Sequence, residues 1–184
     1  MLEISLKTVV VRKGLKEYNE IKSLICRAFP KNEQIPIWLL HMLALRKSVD
    51  FLAYYDGDLF CGISYTVCNN GLVFVFYLAV NDKIRSKGYG SAILQCIKQR
   101  FSNKALVLNI EPLCPNSDNY AQRVKRFEFY VKNGFFDTHY QISDSSDTYQ
   151  ILATTEQFSI KEYKSAIKQL SFGLYLPQIK KQID

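Results

Sequence analysis

Residues 85–91, Arg85-Ser86-Lys87-Gly88-Tyr89-Gly90-Ser91, place two glycines and two cations in one short segment. The segment leaves the apolar run 72–80 and enters a stretch with helical periodicity. At such a junction the first helical N–H groups lack intrahelical partners, and the helix dipole adds partial positive charge. Gly88 and Gly90 remove side chains that would keep an anion from the backbone, while Arg85 and Lys87 add full charge. Phosphate or pyrophosphate binding is the chemistry this arrangement suits. It is not a P-loop, because no Gly-Lys-Ser/Thr closes a four-residue spacer. A dinucleotide fingerprint would need a third glycine where Ile93 stands. Taken alone, the heptapeptide also reads as a glycine turn with incidental basic residues.

The surrounding elements must place that segment. Residues 2–11 alternate and then become β-branched, which predicts a strand. Tyr18, Ile21, Leu24, Ile25 and Phe29 recur at helical spacing before Pro30, and Pro36 suits the first turn of a second, short helix carrying Ile37, Trp38, Leu40 and Met42. Strands at 50–55, 59–67 and 72–80 follow, joined by Asp56-Gly57-Asp58 and Asn69-Asn70-Gly71 turns. A helix from about 91 to 101, a fully apolar strand at 105–110 and a helix from about 121 to 133 come next. In the last of these Val124, Phe127 and Val131 are expected to form the buried stripe, and Gly134 a left-handed cap. Strands at 135–142 and 148–154 flank a polar turn, and Ser159-Ile160-Lys161-Glu162 is a capping box opening a helix through Leu170. A meander followed by strand-helix-strand crossovers predicts an α/β (α+β) fold with a mixed sheet and helices on its faces.

Composition narrows the setting. The 184 residues suit one domain, and twelve Tyr with twelve Phe argue against disorder. A net charge of +7 favours anionic partners without choosing among nucleic acid, lipid headgroups and a phosphorylated cofactor. The five cysteines, Cys26, Cys61, Cys68, Cys96 and Cys114, show neither paired nor metal-like spacing, as in a reducing compartment. Lys7 and Arg12-Lys13 break any signal-peptide pattern, and the longest uncharged apolar run, 71–80, is too short to span a bilayer. The expectation is a cytoplasmic protein with no membrane partner, no nucleic-acid motif and no metal.

Tyr77-Leu78-Ala79-Val80 followed by Arg85-x-x-Gly88-x-Gly90 resembles motif A of the GNAT superfamily of N-acetyltransferases. Downstream, Phe129-Tyr130-Val131-Lys132-Asn133-Gly134-Phe135 resembles that superfamily's second signature. Two signatures in the right order make a stronger signal than either alone. The resemblance implies a mostly antiparallel central sheet splayed between its two central strands, forming one domain over 1–155. Residues 156–184 are an appended helix and tail, expected to pack on the sheet, cover the acceptor site or join a homodimer interface.

It also implies acetyl-CoA as cosubstrate, with residues 85–91 (Arg85, Ser86, Lys87, Gly88, Tyr89, Gly90 and Ser91) on the pyrophosphate. The pantetheine arm would lie along backbone at Leu78, Ala79 and Val80, where an N–H can stabilise an oxyanion. Tyr130 is the implied general acid for the thiolate, with packing as its plain alternative. Arg123 and Arg126 stand where many relatives have Asn and Ala, so Arg123 or Asn119 is the candidate replacement for the usual cofactor-contacting Asn. Glu111, the one carboxylate at the end of either central strand, is read as a general base for the amine or as a substrate-binding or loop-capping group. His41 and His139 have no motif context and are read as structural. The rival function is a noncatalytic acyl-CoA-binding or regulatory module on the same fold.

Overall fold

Two turns with local reasons to bend shape the meander. Gly57 takes a φ of 58°, which a glycine adopts without strain. Asn69 Oδ1 accepts from the N–H groups of Gly71 (3.0 Å) and Leu72 (2.9 Å), closing an Asx turn. The computed structural model describes residues 4–84, 87–143, 147–171 and 178–181. Its elements run β1 (Lys7–Val10), α1 (Tyr18–Ala28), α2 (Ile37–Leu43), β2 (Val49–Asp56), β3 (Leu59–Cys68), β4 (Leu72–Val80) and α3 (Tyr89–Arg100). They continue β5 (Ala105–Ile110), α4 (Tyr120–Lys132), β6 (Phe136–Ser143), β7 (Thr148–Ala153), α5 (Ile160–Leu170) and β8 (Gln178–Lys181). The result is a mixed α/β fold whose strands are mostly antiparallel.

The chain forms two compact units, residues 1–68 with 75–102 and residues 69–74 with 103–184. In the first, β1 pairs antiparallel with β2 from Lys7↔Tyr55 to Val10↔Leu52, and β2 pairs with β3 from Val49↔Val67 to Asp56↔Leu59. A bulge at Tyr54/Tyr55 lies beside Gly62. A Cβ on Gly62 would sit 2.3 Å from the Ala79 carbonyl oxygen, so the backbones there approach too closely for any other residue. Ile21, Leu24 and Ile25 of α1, Leu40 and Leu43 of α2, and Ile93, Leu94 and Ile97 of α3 are buried in this unit's core. Leu40 is buried, whereas Trp38 (62% exposed) and Met42 (43%) face outward.

The second unit is built on β5. Its parallel ladder with β4 runs from Leu72↔Ala105 to Phe74↔Val107, and its other edge pairs antiparallel with β7. β6 pairs with β7, and β8 pairs with β6 from Tyr140↔Lys181 to Ser143↔Gln178. The strand β8 is absent from the sequence expectation, which reads 156–184 as helix and tail. Ser159 Oγ accepts from the Glu162 N–H at 3.3 Å, as the capping box requires. The apolar stripe of α5, Tyr163, Ala166, Ile167 and Leu170, is buried. Tyr163 donates to Asn109 Oδ1 (2.7 Å), and Asn69 Nδ2 donates to the Glu162 carbonyl (2.7 Å), so this helix is tied to the unit's strand side. Among the described residues no helix is long and apolar enough to cross a membrane.

Candidate active site

The first unit carries the candidate anion-binding geometry. β4 is buried on both faces over 72–75, then alternates, with Tyr77 and Ala79 buried and Phe76, Leu78 and Val80 half-buried. The register with β5 ends at Phe74↔Val107, although β4 runs on to Val80 and β5 to Ile110. After Val80, Asn81 is buried and anchors the chain. Its N–H donates to the Cys61 carbonyl (2.8 Å), its Nδ2 to the Phe60 carbonyl (2.9 Å), and its Oδ1 accepts from the Lys83 N–H (3.2 Å). A single 3₁₀ turn, Asp82–Ile84, follows. Arg85 and Ser86 of the expected phosphate segment lie outside the described residues; Lys87 and Gly88 are exposed.

Gly88 is the N-cap of α3, at a φ of 84°, and no side chain caps the helix. The N–H groups of Tyr89, Gly90 and Ser91 therefore open the helix without an intrahelical acceptor. Among the described residues a Cβ on Gly88 would meet only Ile4, at an ordinary 3.6 Å, so these residues leave open space around it. Uncapped N–H groups, a left-handed glycine and open space fit a pyrophosphate. Tyr89 is buried, and its hydroxyl donates to Asp56 Oδ2 at 2.8 Å, fixing the first turn of α3 to the β2–β3 hairpin. That carboxylate, with burial, pushes the Tyr89 hydroxyl up to about 12.

The second unit carries the candidate acid. At the end of α4 the Phe135 N–H donates to the Tyr130 carbonyl (3.0 Å) and the Gly134 N–H to the Val131 carbonyl (2.9 Å). With Gly134 at a φ of 76°, these bonds form a Schellman motif, in which residues C3 and C″ are also expected to touch. They do, since the Tyr130 and Phe135 rings lie 5.5 Å apart between centroids. The Tyr-x-x-Asn-Gly-Phe signature is thus a helix stop that fixes the backbone and ring of Tyr130. Among the described residues the Tyr130 hydroxyl has no hydrogen-bond partner. Burial pushes it up to about 12, with Arg126 pulling weakly the other way. The phenol keeps its proton at neutral pH and has it to give.

The expected stripe of α4 needs correction. Val124 and Phe127 are half-buried, Val131 is 46% exposed, and no side chain of this helix is fully buried. Polar bonds do much of the positioning here. Glu111, just after β5, is bound to Arg126 Nη1 (2.6 Å), Arg123 Nη2 (3.1 Å) and Asn119 Nδ2 (3.0 Å). Arg123 also donates to Asn119 Oδ1 (2.7 Å) and the Pro112 carbonyl (3.0 Å). Burial alone would raise the Glu111 carboxyl, but the Asn119 hydrogen bond and the two guanidinium groups together hold it below its ordinary value. A carboxylate so held is a poor proton acceptor. The structure brings Glu111, Asn119 and Arg123 into one cluster, and adds Arg126, which sequence reasoning notes only as a departure from the family pattern.

His41 is half-buried against Tyr18 (3.1 Å between Nε2 and the hydroxyl) and Phe51, and burial lowers its pKa. His139 is the one described non-glycine residue with positive φ (58°), held in the β6 bulge as its N–H donates to Asp137 Oδ1 (2.9 Å). Among the described residues no His, Cys, Asp or Glu cluster is arranged to hold a metal ion.

The acetyltransferase (GNAT) family profile matches residues 18–135, and the chain belongs to that family. A protein of the same family from Bacteroides thetaiotaomicron superposes with a TM-score of 0.72 at 20% identity, over 94% of this chain and 100% of that one. A GNAT acetyltransferase from Elizabethkingia anophelis with acetyl-CoA bound gives 0.55 at 15% identity, over 80% and 96%. A Bacillus subtilis acetyltransferase in complex with CoA gives 0.55 at 15%, over 81% and 97%. No curated protein matches the sequence significantly. Family membership carries acetyl transfer as the general activity.

Proposed function

We propose that the chain transfers the acetyl group of acetyl-CoA to a primary amine on a small molecule or peptide. Acetyl-CoA, when bound, supplies the activated acetyl thioester. The first-turn N–H groups of α3, with Arg85, Ser86 and Lys87, take the pyrophosphate, and backbone at Leu78, Ala79 and Val80 holds the pantetheine arm. A backbone N–H there stabilises the carbonyl oxygen as negative charge develops on it. The neutral amine attacks the thioester carbonyl directly, forming the C–N bond as the C–S bond breaks; Tyr130 donates its proton to the departing sulfur and recovers one from the nitrogen, directly or through solvent. Glu111 fills the anchoring role, holding Arg123, Arg126 and Asn119 and so the loop that leads into α4. With those three side chains committed to Glu111, cofactor binding falls mainly to the backbone of the first unit.

The observation that carries the catalytic half is the Tyr130 hydroxyl, protonated at neutral pH and unengaged among the described residues, on a helix end fixed by its own signature. A noncatalytic binding module has no use for that phenol. Incubation with acetyl-CoA and a panel of amines, followed by thiol release, tests the reading. Turnover with at least one amine supports it. Tight acetyl-CoA binding without turnover across amino acids, polyamines, aminoglycosides and peptide N-termini would favour the binding module.

A further inference from the structure

A concavity of about 550 Å³ lies wholly within the second unit, and none of the residues assigned to acetyl transfer lines it. Its walls are Phe127 and Val131 of α4, residues 135–139 at the start of β6, and the two residues 155–156 after β7. The volume is that of a small-molecule site, in which apolar walls carry a few placed polar groups. The β6 wall is a bulge. Between the pairs Asp137↔Leu152 and Gln141↔Gln150 the register shifts, and β6 carries more residues than β7. The bulge holds His139 at a φ of 58°, a conformation that is costly for a residue with a side chain. Asp137 keeps it there. Its Oδ1 accepts from the His139 N–H at 2.9 Å, and its Oδ2 accepts from Gln150 Nε2 at 2.5 Å. Thr138 Oγ1 donates to the Ile151 carbonyl at 2.8 Å, so the wall is tied to β7 on both sides of the bend.

The chemistry of the lining is specific. Phe127 and Phe136 have no aromatic or cationic partner among the described residues, and Phe136 is 48% exposed. Beside them stand two carboxylates, Asp137 and Glu156, while no described lining residue is a lysine or arginine. Glu156 makes no hydrogen bond or ion pair among the described residues. His139, whose Nδ1 lies 3.9 Å from Asp137 Oδ2, is the one described lining side chain able to carry positive charge. On a chain of net charge +7 this is an acidic, aromatic hollow. Both carboxylates repel an anion there, and a neutral apolar molecule leaves them without a counter-charge. A cation on an apolar body suits both features, drawn to the ring faces by their quadrupole and to the carboxylates by charge.

We infer that this concavity is a binding site for a small organic cation, an ammonium group on an aromatic or aliphatic body. Asp137 and Glu156 balance its charge, and Phe127 and Phe136 cover its apolar surface. The ligand is bound and not changed. The inference does not rest on the acetyl-CoA reading, because the two share no residue. Benzyltrimethylammonium is the probe of choice, since its quaternary nitrogen cannot take up an acetyl group.

Titration of the isotope-labelled full chain with this probe, followed through the amide resonances and without acetyl-CoA, is the test. Saturable binding is expected with a Kd of about 1 mM, the range for a ligand of about eleven non-hydrogen atoms. The shifts should centre on residues 136–139 and 156. Neutral 2-phenylethanol and anionic phenylacetate should bind about 10-fold more weakly or worse. Glu156→Gln and Phe136→Leu should each weaken the cation by about 2- to 5-fold. Should Phe136→Leu fail to fold, Glu156→Gln decides, because its side chain has no described partner to lose. The inference is overturned by no saturation at about 20 mM probe, by equal binding of the alcohol, by shifts at 88–91 in place of 136–139, or by an unchanged affinity in Glu156→Gln.

Discussion

The two units hold their functional groups by opposite means. Around Gly88 the candidate groups are backbone N–H donors, made available by what is missing among the described residues: a side chain at the glycine and a side-chain cap on α3. Around Tyr130 the useful group is a side chain, and it is placed by what is present: a Schellman stop, a ring contact with Phe135, and a carboxylate that gathers Asn119, Arg123 and Arg126. A site made of absence is damaged by adding atoms, and one made of contacts by removing them. Under the proposed function, binding is therefore expected to track changes in the first unit, and turnover and stability changes in the second.

Removing one atom should have the largest effect. Tyr130→Phe is expected to lower turnover by about 100-fold, the lower range for a lost general acid, while acetyl-CoA affinity stays near wild type. Single-turnover kinetics beside calorimetric binding would show the split, and unchanged turnover with chemistry rate-limiting would reduce Tyr130 to packing. Adding one atom at Gly88 comes next. At a φ of 84° an alanine costs about 1–2 kcal/mol of backbone strain, and its methyl enters the anion space. Acetyl-CoA binding is expected to weaken by about 5- to 30-fold, beside a loss of stability like that at any left-handed glycine replaced by alanine.

Gly134→Ala adds a similar strain at a φ of 76°, but no ligand is expected there. The expected result is a loss of about 1 kcal/mol in denaturant melts with acetyl-CoA affinity intact. A fall in affinity as large as that of Gly88→Ala would erase the contrast between the units. The smallest effect is a pH dependence. The folded Glu111 carboxyl lies below its ordinary value of 4.5, so its contribution to stability is complete above that pH and is lost as pH falls through the folded value. Glu111→Gln should therefore differ most from wild type at neutral pH and converge with it in acid. Melting curves from pH 7 down to pH 3 would reveal a constant gap if the carboxylate contributed nothing.

Much of this was legible because it is local. Gly88, Gly134 and the Ser159–Glu162 capping box act within one helical turn, and each occupies the place its residue type predicts. The meander was readable for the same reason, since Gly57 and Asn69 bend the chain through their own backbone and side-chain bonds. Errors arose where burial depends on neighbours remote in sequence. Val131 lies on an apolar periodicity and is 46% exposed, because periodicity gives a face and not the identity of what covers it. The residues 178–181 carry little strand signal of their own and become a strand by pairing with β6.

The sequence by itself determined the family, the order of elements as far as α5 and the two signatures, because these depend on residue type and short spacing. Only the tertiary structure decided which charges meet. Arg27 finds Asp82 across 55 positions and Arg126 finds Glu111 across 15, and neither partner is encoded by spacing. Charge pairing over such separations follows from where strands and helices bring side chains, and the physical consequence is large. It ties Glu111, a candidate base by its place in the sequence, to Asn119, Arg123 and Arg126, and it brings Arg27 and Lys83 to the acids Asp82 and Glu20.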